Sequence, residues 1–268
     1  MSQRISIHEL REVTQPESVR GRANSEHWVA DLYLRRLSPY LTRILISLKF
    51  SPNAVTWLMI LTGLSAALTL LIPGMLGVVL ALMLGQLQML WDCCDGEIAR
   101  WKKQFSPAGI FLDKLGHYLT EGAIAFALGL RLAGWPEKPL DSSHLPLVGA
   151  GFASVVILNK ALNDAVHVSR YFAGLPKLED RKSASHSRSA LINLAKGIFN
   201  IIPIHRMLHS VEMTIWIFIL SFIDLVASAN LLATLFDWII PIVIFVFVGH
   251  LLSILSSGKL QASAKSSV

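Results

Sequence analysis

The chain has 268 residues, of which 53% are hydrophobic and only 16% charged, and its mean hydropathy is +0.53. A soluble domain runs nearer a quarter charged, so composition argues against a soluble enzyme, and the apolar content excludes disorder over most of the length. The formal charge of +6 comes from 24 Lys plus Arg against 18 Asp plus Glu; in so apolar a chain it points to loops beside anionic lipid and not to a nucleic-acid partner.

Residues 1–25 are polar and mixed in charge, without the apolar centre of a signal peptide. Residues 26–50 form a juxtamembrane segment. In it Trp28, Leu32, Leu37, Leu41, Ile44 and Leu45 mix with Arg35, Arg36, Arg43 and Lys49. That pattern predicts an amphipathic helix lying in the membrane interface, interrupted at Pro39. Residues 51–258 hold six apolar stretches, at about 54–72, 75–92, 115–134, 145–168, 211–231 and 235–255, each near the ~20 residues that cross a bilayer. The second is expected to continue as helix to about Lys102, and Pro73-Gly74 supplies the turn before it. Residues 259–268 read as a flexible tail. The expected fold is therefore an all-α integral membrane protein with six transmembrane helices and an N-terminal interfacial helix.

Basic residues alternate along the connections. They are frequent in the N-terminal segment, at Arg100, Lys102 and Lys103, between Arg170 and Arg206, and at Lys259 and Lys265. The intervening connections are nearly free of them. The positive-inside rule then places both termini in the cytoplasm of a multi-pass protein of the cell membrane.

One region breaks the pattern of a lipid-facing helix. Asp92, Asp95 and Arg100 lie at the end of the second span, and Asp113 and His117 at the start of the third. Charges beside spans usually line a cavity. Asp92 and Asp95 are three apart and Asp113 and His117 four apart, so each pair shares a helical face. Ser106-Pro107 is a good cap and first turn for the second of these helices. Two antiparallel helices would aim three carboxylates and an imidazole at one point, an oxygen-rich set suited to Mg²⁺ or Mn²⁺. Gly96, Ala99 and Gly109 would leave room for a ligand, and Arg100 can fork onto phosphate oxygens. Together these features describe a site for a nucleotide pyrophosphate.

The stretch resembles the CDP-alcohol phosphatidyltransferases, whose pattern is D-x₂-D-G-x₂-A-R-x₈-G-x₃-D-x₃-D. The chain matches at Asp92, Asp95, Gly96, Ala99, Arg100, Gly109 and Asp113, and departs at the last position, where His117 replaces aspartate. Pro52-Asn53-Ala-Val-Thr56 is similar to the family's Pro-Asn-x-x-Thr. The resemblance implies that Asp92, Asp95 and Asp113 hold two divalent ions on the pyrophosphate of a CDP-linked lipid such as CDP-diacylglycerol. It implies that Gly96, Ala99 and Gly109 floor the cytidine pocket, that Asn53, Thr56 and Arg100 contribute to nucleotide and phosphate binding, and that an acceptor hydroxyl displaces CMP. It also implies a homodimer with a cytoplasm-facing site in each protomer. His117 is expected to act as base or metal ligand, with Glu121, one turn on, orienting it or serving as the base. Glu97 reads as a solvated or packing residue, and Cys93 and Cys94 as small apolar packers.

For the acceptor, the fourth span carries Asn159, Lys160, Asn163, Asp164, His167 and Arg170 at spacings of three and four. This stripe is either a binding wall or a set of interhelical hydrogen bonds. Lys160, Asn163 and Arg170, with Arg181 and Arg188 from the basic loop, are the candidates to bind a small, phosphorylated polyol. His186, His205 and His209 form no recognisable metal set. Two rivals remain: a homologue that binds CDP-lipid but turns it over poorly, kept open by His117, and a small cation transporter, which the position of the acids at a helix end argues against.

Overall fold

The computed structural model describes residues 5–20, 30–176, 178 and 207–261. Regular structure among them is helical throughout. Five helices among the described residues are long and apolar enough to cross a membrane: α3 (Pro52–Thr69), α4 (Gly74–Lys102), α6 (Leu145–Phe172), α7 (Ser210–Ala227) and α9 (Ile239–Ser256). The expected third span is α5 (Pro107–Leu132). It has the length, but Asp113, Lys114, Glu121 and Arg131 reduce its apolarity. It packs between α3 and α6. The chain is a multi-pass membrane protein built around this bundle. Its core gathers Ala66, Ile124, Leu128, Phe152, Met213 and Ile217 from four helices.

The connections explain the layout. At the α3–α4 turn, Gly74 takes a left-handed φ of 71°, which glycine adopts at no steric cost. Arg131 reaches over from α5 and caps the turn, donating to the carbonyls of Leu70 (2.9 Å), Ile72 (2.8 Å) and Gly74 (2.7 Å). At its other end α4 runs to Lys102, as expected from the sequence. The chain reverses at Lys103, and Ser106 caps α5 by accepting from the Gly109 N–H at 3.0 Å. This short reversal returns α5 past the end of α4, with α3 packed against both helices, so that residues 92–100 and 109–117 face the same space.

The juxtamembrane segment forms a π-helical turn, Ala30–Leu34, followed by α2, Arg35–Ser47. The expected break at Pro39 does not occur. Proline has no N–H to offer the carbonyl four residues back, and that carbonyl, on Arg35, is taken instead by Gln15 Nε2 at 2.8 Å. Trp28 lies outside the described residues. Gln15 follows a short helix, α1 (Ile7–Thr14), inside the segment read as merely polar. Leu10 and Thr14 of α1 are buried, and Arg100 Nε donates to the Thr14 carbonyl at 2.5 Å.

The last expected span divides into α8 (Leu231–Asp237) and α9. Pro241 is tolerated only in a first turn, so the helix restarts at Ile239. After α9, a turn at Gly258–Leu260 is held by Arg170 Nη1, which donates to the Lys259 carbonyl at 2.6 Å.

Candidate active site

The α4–α5 reversal brings the predicted acids together. His117 Nε2 lies 3.2 Å from Asp92 Oδ1 and 3.6 Å from Asp113 Oδ1. Asp92, Asp113 and His117 each offer a ligand atom, and these atoms all fall within 4.8 Å of one another. They open on a cavity of about 380 Å³ that Asn53, Asp95, Gly96, Ala99, Arg100 and Gly109 also line. Asp92, Asp113 and His117 thus converge as their spacing predicted.

Several members are placed differently from expectation. Asp95 borders the cavity but stands outside the three-residue cluster, because its Oδ2 accepts from Thr56 Oγ1 at 2.7 Å. Thr56 is buried. Its hydroxyl donates to Asp95, and the residue also lines the cavity. Arg100 lies over Gly96: a Cβ built on that glycine would meet the guanidinium nitrogens at 3.1 and 3.3 Å. Gly96 thus admits Arg100. Gly109 lets the start of α5 approach Asn53, whose Oδ1 would stand 3.0 Å from an added Cβ. Val19 and Arg35, from the N-terminal segments, also line the cavity; sequence spacing gave no signal for either.

Of the two readings of Glu97, solvated or packing, the structure shows the second. The residue is fully buried and accepts from Gln15 Nε2 (2.8 Å), Ser38 Oγ (2.5 Å) and Thr42 Oγ1 (2.7 Å). It therefore fastens α1 and α2 to the motif helix. Cys93 and Cys94 are buried free thiols packed in apolar clusters, as expected.

The acceptor wall does not form among the described residues. Lys160 Nζ sits 2.6 Å from Glu121 Oε1. Arg170 is spent on the carbonyls of Pro176 and Lys259. Asp164 pairs with Tyr118 and with Lys114, Asn159 with His250, and Asn163 is exposed away from the cavity. Lys160, Asp164 and Asn159 of the stripe make interhelical contacts. Arg181 and Arg188 lie outside the described residues, as do His186 and His205. Glu121 is likewise removed from a base role: its side chain is 1% exposed, borders no part of the cavity, and is engaged by Lys160 and by His209 Nδ1 at 3.2 Å. His209, unassigned from the sequence, is the partner that spacing did not reveal, since it lies 88 positions away.

Comparison with known families decides the class. Residues 49–172 match the family CDP-alcohol phosphatidyltransferase. The chain carries a CDP-alcohol phosphatidyltransferase domain. No curated protein matches the chain. The domain runs from the loop before α3 to the end of α6, so it contains the whole cluster and every described residue lining the cavity except Val19 and Arg35. The activity of this phosphatidyltransferase family is phosphatidyl transfer from a CDP-alcohol, and it uses divalent metal ions. The residues present fit such ions: two carboxylates and an imidazole converge within ligand spacing, and oxygen with imidazole nitrogen is a suitable donor set.

Proposed function

We propose that the protein moves a phosphatidyl group from a CDP-linked lipid such as CDP-diacylglycerol to the hydroxyl of a small polyol, phosphorylated or not, and releases CMP in phospholipid synthesis. The observation that carries this reading is the meeting of Asp92, Asp113 and His117 at one edge of a cavity whose wall also holds Arg100. A volume near 380 Å³ is in the range that takes a small-molecule ligand.

In this reading Asp92, Asp113 and His117 would hold Mg²⁺ or Mn²⁺, and Asp95, which accepts from Thr56, would contribute to a second ion. Bound there, the cations neutralise charge on the diphosphate and on the departing phosphate. Asn53, Gly96, Ala99 and Gly109 form the wall against the nucleotide. Arg100 and Arg35 face its phosphate oxygens. The acceptor oxygen bonds to the phosphorus on the lipid side. The bond from that phosphorus to the bridging oxygen breaks, and its electron pair leaves with CMP. The hydroxyl proton passes to the acidic cluster, where Asp113, at 38% the most exposed member, is the first group a hydroxyl entering from outside would meet. His117 serves as a ligand, because its Nε2 faces the two carboxylates. Residues 51–258 form the membrane catalytic domain, with the site and both termini on the cytoplasmic side, and the enzyme works as a homodimer.

The test is CMP release by purified protein supplied with CDP-diacylglycerol, a panel of small alcohols, and Mg²⁺ or Mn²⁺. CMP should form only with a divalent ion and a suitable acceptor. Asp92→Asn and Asp113→Asn should each lower the rate at least ~100-fold, on the scale of a lost transition-state charge contact. Cation flux in vesicles without CMP formation would replace the enzyme with a transporter. Tight CDP-lipid binding without turnover under any acceptor would leave a binding homologue.

A further inference from the structure

One turn deeper than the metal cluster lies a second charged layer that the transfer reaction does not use. Glu121 Oε1 receives Lys160 Nζ from α6 at 2.6 Å and His209 Nδ1, at the start of α7, at 3.2 Å. It stands 3.8 Å from Nδ1 of His117, just beyond hydrogen-bond reach. Glu121 Oε2 and His117 Nδ1 are buried and have no hydrogen-bond partner. A buried ion pair is poor evidence of stabilisation, since well-packed apolar residues would serve as well. Its position beside His117 supplies another reason for it.

A neutral imidazole has one N–H and one lone pair. Nε2 of His117 faces Asp92 and Asp113. With a cation among those oxygens, Nε2 must present its lone pair, which puts the proton on Nδ1. On that side the charged acceptor among the described residues is Glu121. Metal-bound histidines commonly donate their second N–H to a carboxylate, which fixes the tautomer and the ring plane.

We propose that Lys160, His209 and Glu121 are positioning residues for His117. Lys160 and His209 fix Glu121, Glu121 accepts a hydrogen bond from the Nδ1–H, and the Nε2 lone pair would thereby face the cation. The inference rests on the metal reading above. It assigns Lys160 and His209 to the metal centre and takes them away from the acceptor.

Mn²⁺ binding to the purified full-length protein, followed by electron paramagnetic resonance, tests it apart from catalysis. Glu121→Gln should weaken Mn²⁺ binding about 10–100-fold, the usual effect of losing such an outer partner, and raised Mn²⁺ should restore much of the activity. Lys160→Met alone strands a buried anion and is liable to misfold. The neutral pair Lys160→Met with Glu121→Gln avoids this and should show the same Mn²⁺ defect as Glu121→Gln. In a His117→Asp background there is no second ring nitrogen to orient, so Glu121→Gln should add no further loss. If Glu121→Gln binds Mn²⁺ like the unmodified protein while Asp92→Asn has lost it, the positioning role is wrong and the metal site stands. An equal loss from Glu121→Gln in both backgrounds also overturns the role, as a structural effect. If Asp92→Asn binds Mn²⁺ normally, the metal site itself is misplaced.

Discussion

Glu97 sits in the middle of the signature, between Gly96 and Ile98, yet it serves the scaffold and not the cavity. Three donors from two other helical segments end on its carboxylate. Replacement by alanine takes the acceptor away from the buried Ser38 and Thr42 hydroxyls, while Gln15 Nε2 keeps the Arg35 carbonyl, and each such loss costs about 1–3 kcal/mol. Glu97→Ala should therefore destabilise the protein by at least ~2 kcal/mol, while Glu97→Gln, which keeps one carbonyl oxygen, should lose less. Thermal unfolding in detergent with a thiol-reactive dye, reporting exposure of Cys93 and Cys94, would measure both; an unshifted melting point for Glu97→Ala would remove the anchoring role. The contrast with Asp92 shows what could be read at this scale. The helical period told which face Asp92, Asp113 and His117 occupy, and the short reversal at Lys103–Ser106 brought those faces together. Period alone does not name a partner across space. It therefore missed that Thr56 takes up Asp95, that Glu121 takes up Lys160, and that His209 belongs to the same group.

Among elements, the long apolar helices were legible because burial in lipid demands a run of fixed length. Helix α1 was not, since eight residues with few apolar side chains carry almost no such signal; its order comes from docking Leu10 and from the bond to Arg100. Nor was the inward face of α2. Ser38 and Thr42 point into the protein toward Glu97, and Leu37, Tyr40, Ile44 and Leu48 point outward, where a membrane protein meets lipid. The α5–α6 pair shows how close the elements come. A Cβ on Gly149 would stand 2.9 Å from the Gly129 Cα and 3.0 Å from the Phe126 carbonyl. Both obstacles are backbone, which cannot rotate away. Gly149→Leu should force the two helices apart and cost about 1–3 kcal/mol, the range for overpacking. Gly258→Ala, which meets nothing within 4 Å, is the silent comparison. Size-exclusion profiles after graded heating would separate them, and equal survival of the two variants would contradict the close crossing.

At the scale of the whole molecule, the question is whether α5 crosses the membrane. Among the described residues it is the one long helix that falls short of the apolarity of a span, and its crossing decides the topology. With six spans the two termini lie on one side; with five they lie on opposite sides. Twenty-six residues make a helix of about 39 Å at 1.5 Å per residue, more than the ~30 Å hydrocarbon core. Its charges are placed so that a crossing is tolerable. Asp113 and His117 sit at the cavity end, Glu121 is neutralised by Lys160, and Arg131 is at the far end, capping the α3–α4 turn. Residues 122–130 between them are uncharged and lie largely against the core. The ends agree as well. Arg100, at the end of α4, holds α1, and Arg170, at the end of α6, holds the turn after α9, so the N-terminal helix and the C-terminal turn attach to helix ends that an even number of crossings puts on the same face. That face carries the basic connections, which the proposed topology puts in the cytoplasm. A fluorescent protein that folds only in the cytoplasm, fused in turn to each terminus, should be bright in both fusions, and alkaline phosphatase at the same points should be inactive. Fluorescence at one terminus with phosphatase activity at the other would make α5 a helix packed inside the bundle without crossing, and would move the acidic cluster away from the membrane face where a soluble nucleotide product leaves.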